Sequence, residues 1–370
     1  MKTLKDIQYL NGVKVLLLVD FNVPVKNEAV ADDYRIRKTL PTIDYLISKG
    51  AIVIMVGHLQ SAEGDNLSLE VVSRHINQKL NHEVVFIKNF NRAGELLQNA
   101  KNGQCFLLEN IRYFDGEKKN DPQLSKALAS LADIYVNDAF SVSHRPHASV
   151  VGVPKLLPSY AGFQLQNEVE NLSKAFNPSH PFLFILGGAK FETKLPLLQK
   201  FTNIADSIFV GGALAHDIMK ARGYAIGMSK TSDVHIDASI IDSEKIVIPT
   251  DIVNQDHITK NSKNLDNSDK ILDAGPLTMR SLSESIKSAQ YILWNGPLGL
   301  YEDGYKGATL ELAKLIADSG AVSIIGGGDT LAAVAELGLE NKFAFVSTAG
   351  GAMLDFLAKG SLPGIDALGD

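Results

Sequence analysis

Short apolar runs recur along this chain; each ends in a polar or glycine-rich turn, and helically spaced apolar positions follow. Residues 13–19 are apolar apart from Lys14 and run into Asp20-Phe-Asn22-Val-Pro24. A helix is predicted from residues 32–37 through Leu46, with Gly50 closing it. Residues 51–56 read as the next strand, ending in Gly57-His58. After a helix over 69–80 come strands at 84–87, at 105–108 before Glu109-Asn110-Ile-Arg112, and at 134–136 before Asn137-Asp138. Continuous apolar strands alternating with helices predict a parallel sheet covered on both faces, with ligands beyond the carboxyl ends of its strands.

Residues 152–162 carry prolines and glycines that mark the end of this first unit, and residues 163–177 read as a connecting helix stopped by Asn177-Pro178. The same device then repeats. Strands over 181–186, 207–210, 246–248, 291–294, 321–325 and 343–346 end respectively in Gly187-Gly-Ala-Lys190, Gly211-Gly212, Pro249-Thr-Asp251, Asn295-Gly-Pro297, Gly326-Gly327-Gly328-Asp329-Thr330 and Ser347-Thr-Ala-Gly350-Gly351. The expected fold is α/β: two Rossmann-like, doubly wound parallel-sheet domains joined by a helical hinge, residues 1–162 and 178–354. The segment 355–370 is expected to return to the first domain.

With 370 residues, 45% hydrophobic and 21% charged, the chain has the composition of a globular protein with two or three domains. A formal net charge of −6 gives no broad attraction for nucleic acid or an anionic membrane. The lone Cys105 forms no internal disulfide and fits a reducing compartment, and no run approaches the roughly 18 apolar residues of a membrane span. A cytoplasmic, monomeric protein is expected.

At the strand ends of the first domain, Asp20, Asn22, Arg35, His58, Arg112 and Arg145 compose a pocket rich in guanidinium groups, suited to a small ligand with carboxylate and phosphate. His144 and His147 flank Arg145, but no further ligand cluster supports a metal there. In the second domain, glycine turns at helix N-termini let phosphates approach the backbone N–H groups. Asp329 would repel a phosphate unless a divalent cation such as Mg²⁺ lies between them. Lys190 and Lys194, at i and i+4, are expected on one helix face. Neither a G-x-x-x-x-G-K-[ST] loop nor a G-x-G-x-x-G fingerprint is present. An anion pocket in one domain and a nucleotide pocket in the other point to phosphoryl transfer.

Leu18-Val-Asp20-Phe-Asn22-Val-Pro24, Glu109-Asn-Ile-Arg112-Tyr-Phe, Val136-Asn-Asp-Ala-Phe140, Leu186-Gly-Gly-Ala-Lys190, Trp294-Asn-Gly-Pro297-Leu-Gly, Gly326-Gly-Gly-Asp329-Thr330 and Leu362-Pro-Gly364-Ile-Asp-Ala-Leu resemble, in order, the motifs of the phosphoglycerate kinase family. The resemblance runs nearly end to end. It implies reversible transfer of the acyl phosphate of 1,3-bisphosphoglycerate to Mg-ADP, giving 3-phosphoglycerate and Mg-ATP. By motif position Asp20, Asn22, Arg35, His58, Arg112 and Arg145 would hold the phosphoglycerate. Arg35, Lys190, Gly350 and Gly351 would act on the moving phosphoryl group. Lys194, Thr330 and the run Gly326, Gly327, Gly328 would bind nucleotide phosphates, with Asp329 on Mg²⁺. Gly211 and Gly212 would line the adenine pocket, Asn295 and Pro297 would flank the nucleotide, and Glu302 would bind ribose.

The chain also departs from the family pattern. Leu18 stands where arginine is usual, and the His-Leu-Gly-Arg motif reads His58-Leu-Gln60-Ser61, so two pocket cations are missing; Lys26 and Lys118 are the nearest substitutes along the chain. Thr193 replaces an acid, Ala213 and Ala349 replace glycines, and residues 302–309 are one residue short. A non-catalytic, nucleotide-binding relative with an interaction role is the alternative, against which Arg35, Lys190, Lys194 and Asp329 are retained.

Overall fold

The computed structural model describes residues 1–79, 83–232 and 234–369; the end of the helix expected over 69–80, at Leu80, lies outside them, as does Asp370 of the expected returning tail. The chain divides into two compact units, Met1–Glu170 with Ser361–Asp370, and Asn171–Gly360.

The first unit is built on six parallel strands: β1 (Lys14–Leu18), β2 (Ile52–Val56), β3 (Val84–Ile87), β4 (Cys105–Leu108), β5 (Ile134–Asn137) and β6 (Ser159–Ala161), in the order β3-β4-β2-β1-β5-β6. All five residues of β2 and all four of β4 are buried, which is why the sequence shows no alternation there. Helix α1 (Tyr34–Ser48) packs Ile36, Ile43, Leu46 and Ile47 into the cluster that holds Val15, Leu17, Val53 and Met55. Each such buried aliphatic side chain contributes about 1.5–3 kcal/mol. That gain carries α1 through Pro41, which removes one backbone donor from its interior.

Strand β6 lies where the sequence reading placed only a boundary. Its Ser-Tyr-Ala sequence has no apolar run, and its pairing comes from the edge of β5, with Tyr135 opposite Ser159. The C-terminal segment joins this unit from Ser361 onward: Gly364 N–H donates to Ser143 O at 2.8 Å, and the Asn137 amide donates to Gly364 O at 3.4 Å.

Helix α2 (Phe163–Ser173) carries the chain from one unit to the next, the division falling after Glu170 inside the helix, and a 3₁₀ turn at Lys174–Phe176 follows it. The second unit has strands β7 (Phe182–Leu186), β8 (Ser207–Val210), β9 (Ile246–Val247), β10 (Tyr291–Asn295), β11 (Val322–Gly326) and β12 (Phe345–Ser347), all parallel, in the order β9-β8-β7-β10-β11-β12. This is the doubly wound Rossmann order, reversing between β7 and β10, and the crevice beyond the strands at that reversal is where such sheets bind ligands. In the first unit the reversal lies between β1 and β5. A small antiparallel sheet of Asp251–Val253, Thr259–Asn261 and Asp273–Ala274 also forms in the second unit. Its strands are too short to print a period on the sequence. Helices α3 (Phe191–Phe201), α4 (Ala213–Ala221), α5 (Gly328–Glu336) and α6 (Gly351–Lys359) start just past β7, β8, β11 and β12.

Candidate active site

In the first unit the residues past β1, β2 and β4 converge. Arg35, in the first turn of α1, reaches back to Asp20, with Nη1 3.3 Å from Oδ1 and 3.1 Å from Oδ2, and donates to Asn22 O at 3.3 Å. Asp20 also accepts from the Asn22 N–H at 3.3 Å and from Ser141 Oγ at 2.6 Å. The Asn22 side chain accepts from the Gln60 N–H at 2.9 Å, which ties the turn after β1 to the turn after β2. Arg112 Nη1 donates to Gln60 Oε1. The Arg145 guanidinium donates to His144 Nε2 at 3.3 Å.

His58 is the centre of this cluster. It is 6% exposed, and burial holds its imidazole well below the ordinary range, reinforced by the guanidinium groups of Arg112, Arg145 and Arg35. It is therefore a neutral donor at pH 7. Arg112, 8% exposed, is pushed down to about 10 by burial and then by Arg145, yet stays a cation at neutral pH. His147 drops to about 4, again through burial first and then Arg112 and Arg145. Its Nδ1 lies 3.7 Å from the carboxylate of Glu117, a distance that would suit an ion pair, but a neutral imidazole cannot form one. Glu117 is 2% exposed, accepts from Ser149 N–H at 3.0 Å and Ser149 Oγ at 2.6 Å, and has its carboxyl raised by burial.

In the second unit glycines make close backbone approaches possible at the β7–β10 reversal. A Cβ on Gly187 would collide with Pro297 O, and Gly296 has a φ of +97°. Gly187 N–H donates to Asn295 O and Gly188 N–H to Pro297 O, both at 2.9 Å. Gly211 N–H donates to Leu186 O at 2.9 Å and Gly212 N–H to Leu298 O at 3.1 Å. Thr330 is fully buried, and its Oγ1 accepts from the Gly296 N–H at 2.9 Å, so its hydroxyl fixes the turn after β10. The Asn295 amide is also buried and lies 3.8 Å from Met353 Sδ. Gly326 ends β11, Gly327 caps α5, and Gly328 and Asp329 open its first turn. Gly350 caps α6 and Gly351 begins it. Glu302 is exposed on the 3₁₀ turn Tyr301–Asp303.

The two lysines do not share a helix face. Phe191, the first residue of α3, is fully buried, and Lys190 before it takes a non-helical backbone (φ −99°, ψ 88°) and is exposed. Lys194 is buried in the first turns of α3, its Nζ donating to Gly187 O. Burial lowers it to about 8, with nearby Asp329 opposing the fall.

Comparison with known proteins decides the family. A sequence model described as phosphoglycerate kinase matches residues 4–360. The chain is 42% identical to a phosphoglycerate kinase of Thermosipho africanus, covering 99% of this chain and 97% of the relative, and 40% identical to one of Clostridium botulinum, covering 99% and 98%. Its structure is similar to that of phosphoglycerate kinase from Coxiella burnetii, with a TM-score of 0.86 at 35% identity over 99% of this chain and 98% of that one. It is likewise similar to the Pyrococcus horikoshii enzyme, with a TM-score of 0.85 at 30% identity over 100% and 98%. The chain belongs to the phosphoglycerate kinase family. As a phosphoglycerate kinase relative over its whole length, it is a phosphotransferase.

Against the phosphoglycerate kinase pattern, Leu18 is 2% exposed at the end of β1, opposite Val56 and Asn137. Of the two substitute cations, Lys118 lies within electrostatic reach of His147, while Lys26 is exposed on the two-residue strand Val25–Lys26. Thr193 Oγ1 donates to Lys190 O at 3.0 Å, and Ala349 N–H donates to Ser347 Oγ at 3.3 Å. Gln60, Glu117 and Ser141 were not singled out by the sequence reading. Gln60 and Glu117 act through hydrogen bonds made from turns and Ser141 from the 3₁₀ turn Phe140–Val142, segments too short or irregular to print a period on the sequence.

Proposed function

We propose that this protein interconverts 1,3-bisphosphoglycerate and ADP with 3-phosphoglycerate and ATP, the glycolytic and gluconeogenic reaction of its family. The observation that carries the reading is the grouping of Arg35, Arg112 and Arg145 around a neutral His58, in a chain that matches the family from residue 4 to residue 360. Phosphoryl transfer asks mainly for positioning and for positive charge over the equatorial oxygens of the moving group. Asp20, Asn22, His58, Arg112 and Arg145 would bind the phosphoglycerate, and Arg35 would add charge near the transferred group.

On the nucleotide side, Lys190, exposed beside the glycine turn, would contact the moving phosphoryl group, with Lys194 on the nucleotide phosphates. The backbone N–H groups opening α5 and α6, from Gly326 to Thr330 and at Gly350 and Gly351, would bind phosphate oxygens. Gly211 and Gly212 would border adenine, Asn295 and Pro297 the nucleotide, and Glu302 the ribose. Asp329 is a single, half-buried carboxylate at the start of α5, and among the described residues no three acids, histidines or cysteines are grouped so that they could hold a metal ion by themselves. Such a donor set fits Mg²⁺ bound mostly by nucleotide phosphates and water, not an all-protein cage. Held there, the ion would neutralise phosphate charge.

Transfer requires the two ligands to meet with water excluded, so ligand binding is proposed to draw the units together about α2. Cytoplasmic location and a monomeric state complete the proposal, with no nucleic-acid or membrane partner. A coupled assay for ATP-dependent consumption of 3-phosphoglycerate, carried to millimolar substrate, tests the activity. Absence of turnover with intact folding would refute it.

A further inference from the structure

Gln60 occupies an unusual place in the arginine cluster. Both ends of its amide are engaged: Oε1 accepts from Arg112 Nη1, and Nε2 donates to Gly64 O and to Asn66 Oδ1, both at 3.2 Å. Its backbone N–H donates to Asn22 Oδ1 at 2.9 Å. Asn66 in turn donates from Nδ2 to Arg112 O at 2.8 Å and pairs with Gln60 as an isolated antiparallel bridge. The loop from Gln60 to Asn66 thus holds both the main chain and the side chain of Arg112. We propose that Gln60 is the positioning residue of the phosphoglycerate pocket, aiming the Arg112 fork without adding negative charge to it. The proposal rests on the activity proposed above.

The physical reason lies in the choice of a neutral acceptor. A buried guanidinium needs oxygen partners to hold one orientation, and a carboxylate would supply them with the strongest bond. It would also cancel the charge that an anionic ligand needs. The Gln60 carbonyl orients the fork with a dipole and adds no carboxylate to those of Glu117 and Asp20 that already act on Arg112, so more of its charge remains for the ligand. With Leu18 and Ser61 standing where the family pattern has arginines, each remaining cation carries a larger share of the anion's binding.

Calorimetric titration with 3-phosphoglycerate, alongside steady-state kinetics, tests this on the full chain. Gln60→Glu keeps the shape and adds the cancelling charge; Gln60→Met removes the acceptor without adding charge. The expected result is a Kd and KM for 3-phosphoglycerate raised at least twentyfold in Q60E and at least fivefold in Q60M, while the KM for ATP and the melting temperature stay near wild type. A Kd within twofold of wild type in either variant overturns the positioning role. Wild-type protein that binds no 3-phosphoglycerate would remove the proposed activity and this inference together, whereas wild-type binding with unaffected variants would remove this inference alone.

Discussion

The Nζ of Lys194 donates to the carbonyl oxygen of Gly187 in the turn that leaves β7, and the lysine is only 7% exposed. Burial brings it from 10.5 to about 8, and at about 1.4 kcal/mol for each tenfold change in acidity, holding the ammonium there costs on the order of 3 kcal/mol. The unfolded chain binds this proton more tightly than the folded one. The cost is therefore present in full below pH 8 and fades as pH rises toward 10.5. Lys194→Met should raise the melting temperature at pH 7 by a few degrees, after about 1 kcal/mol is returned for the lost hydrogen bond. It should also lower turnover by about 10²-fold or more, as expected for a residue held at a cost for function. Calorimetry beside the coupled assay reads both, and the stability gain should vanish near pH 10.

The same lysine sets a pH limb. In the role proposed for it, Lys194 would bind nucleotide phosphates as a cation and not when neutral, so kcat/KM for ADP should fall as pH climbs through about 8. Lys194→Arg, which keeps its charge, should flatten that limb while lowering the plateau. A wild-type profile level to pH 9.5 would exclude the assignment.

Asp138 predicts the opposite slope in stability. Its carboxyl is fully buried, accepts from Gln164 N–H at 2.8 Å in the first turn of α2, and is pushed up to about 8, chiefly by burial. A folded-state value above the unfolded 3.8 means the native protein binds the extra proton. Stability from this group is then complete near pH 4 and declines as pH rises to about 8. Thermal unfolding followed from pH 5 to 9 should show wild type losing stability with rising pH, and Asp138→Asn should flatten the curve. Asp138→Ala, which removes both the acceptor at the helix start and the titrating group, should cost about 1–2 kcal/mol near pH 5 and progressively less as pH rises.

How much of this was legible in the sequence depends on what each residue does. The strands buried on both faces, β1, β2, β4, β7 and β10, announce themselves because no position alternates with solvent. Strand β6 and the small antiparallel sheet were hidden, since two or three residues carry no period and take their pairing from a neighbour already in place. Asp20, Asn22, His58 and Arg112 were readable as polar residues directly following apolar runs. Gln60 and Glu117 were not, because their contribution is a hydrogen bond to a partner that only the fold supplies. The i, i+4 rule failed for Lys190 and Lys194 because it assumes that both lie inside the helix, whereas the burial of Phe191 starts α3 one residue too late for Lys190.

Arg35 tests whether a guanidinium shape matters or only its charge. Its Nη1 bridges Asp20 and Asn22 O from the first turn of α1, which fixes the direction of the planar fork. Lysine keeps the charge and loses the fork. Arg35→Lys should therefore lower kcat/KM for 3-phosphoglycerate by about 10²-fold, with the nucleotide KM near wild type and little change in melting temperature. Equal loss in the nucleotide KM would mean that Arg35 acts through the fold.

Ser61 offers the reverse experiment, restoring a cation that the family pattern carries. Ser61 N–H donates to Asp65 O at 2.8 Å and its hydroxyl accepts from Asp65 N–H at 3.2 Å, so the loop closes mainly on its backbone and tolerates a larger side chain at this partly exposed position. A new guanidinium next to Gln60, the partner of Arg112, would meet like charge, which disfavours it in the empty pocket and favours it once an anion is bound. With about 1.5–3 kcal/mol available from a hydrogen bond to a charged group, Ser61→Arg should tighten 3-phosphoglycerate binding by about tenfold or more. The gain should shrink at high ionic strength, because part of it comes from long-range attraction. Titration at low and high salt reads both effects. Unchanged affinity at low salt would show that position 61 does not face the bound anion.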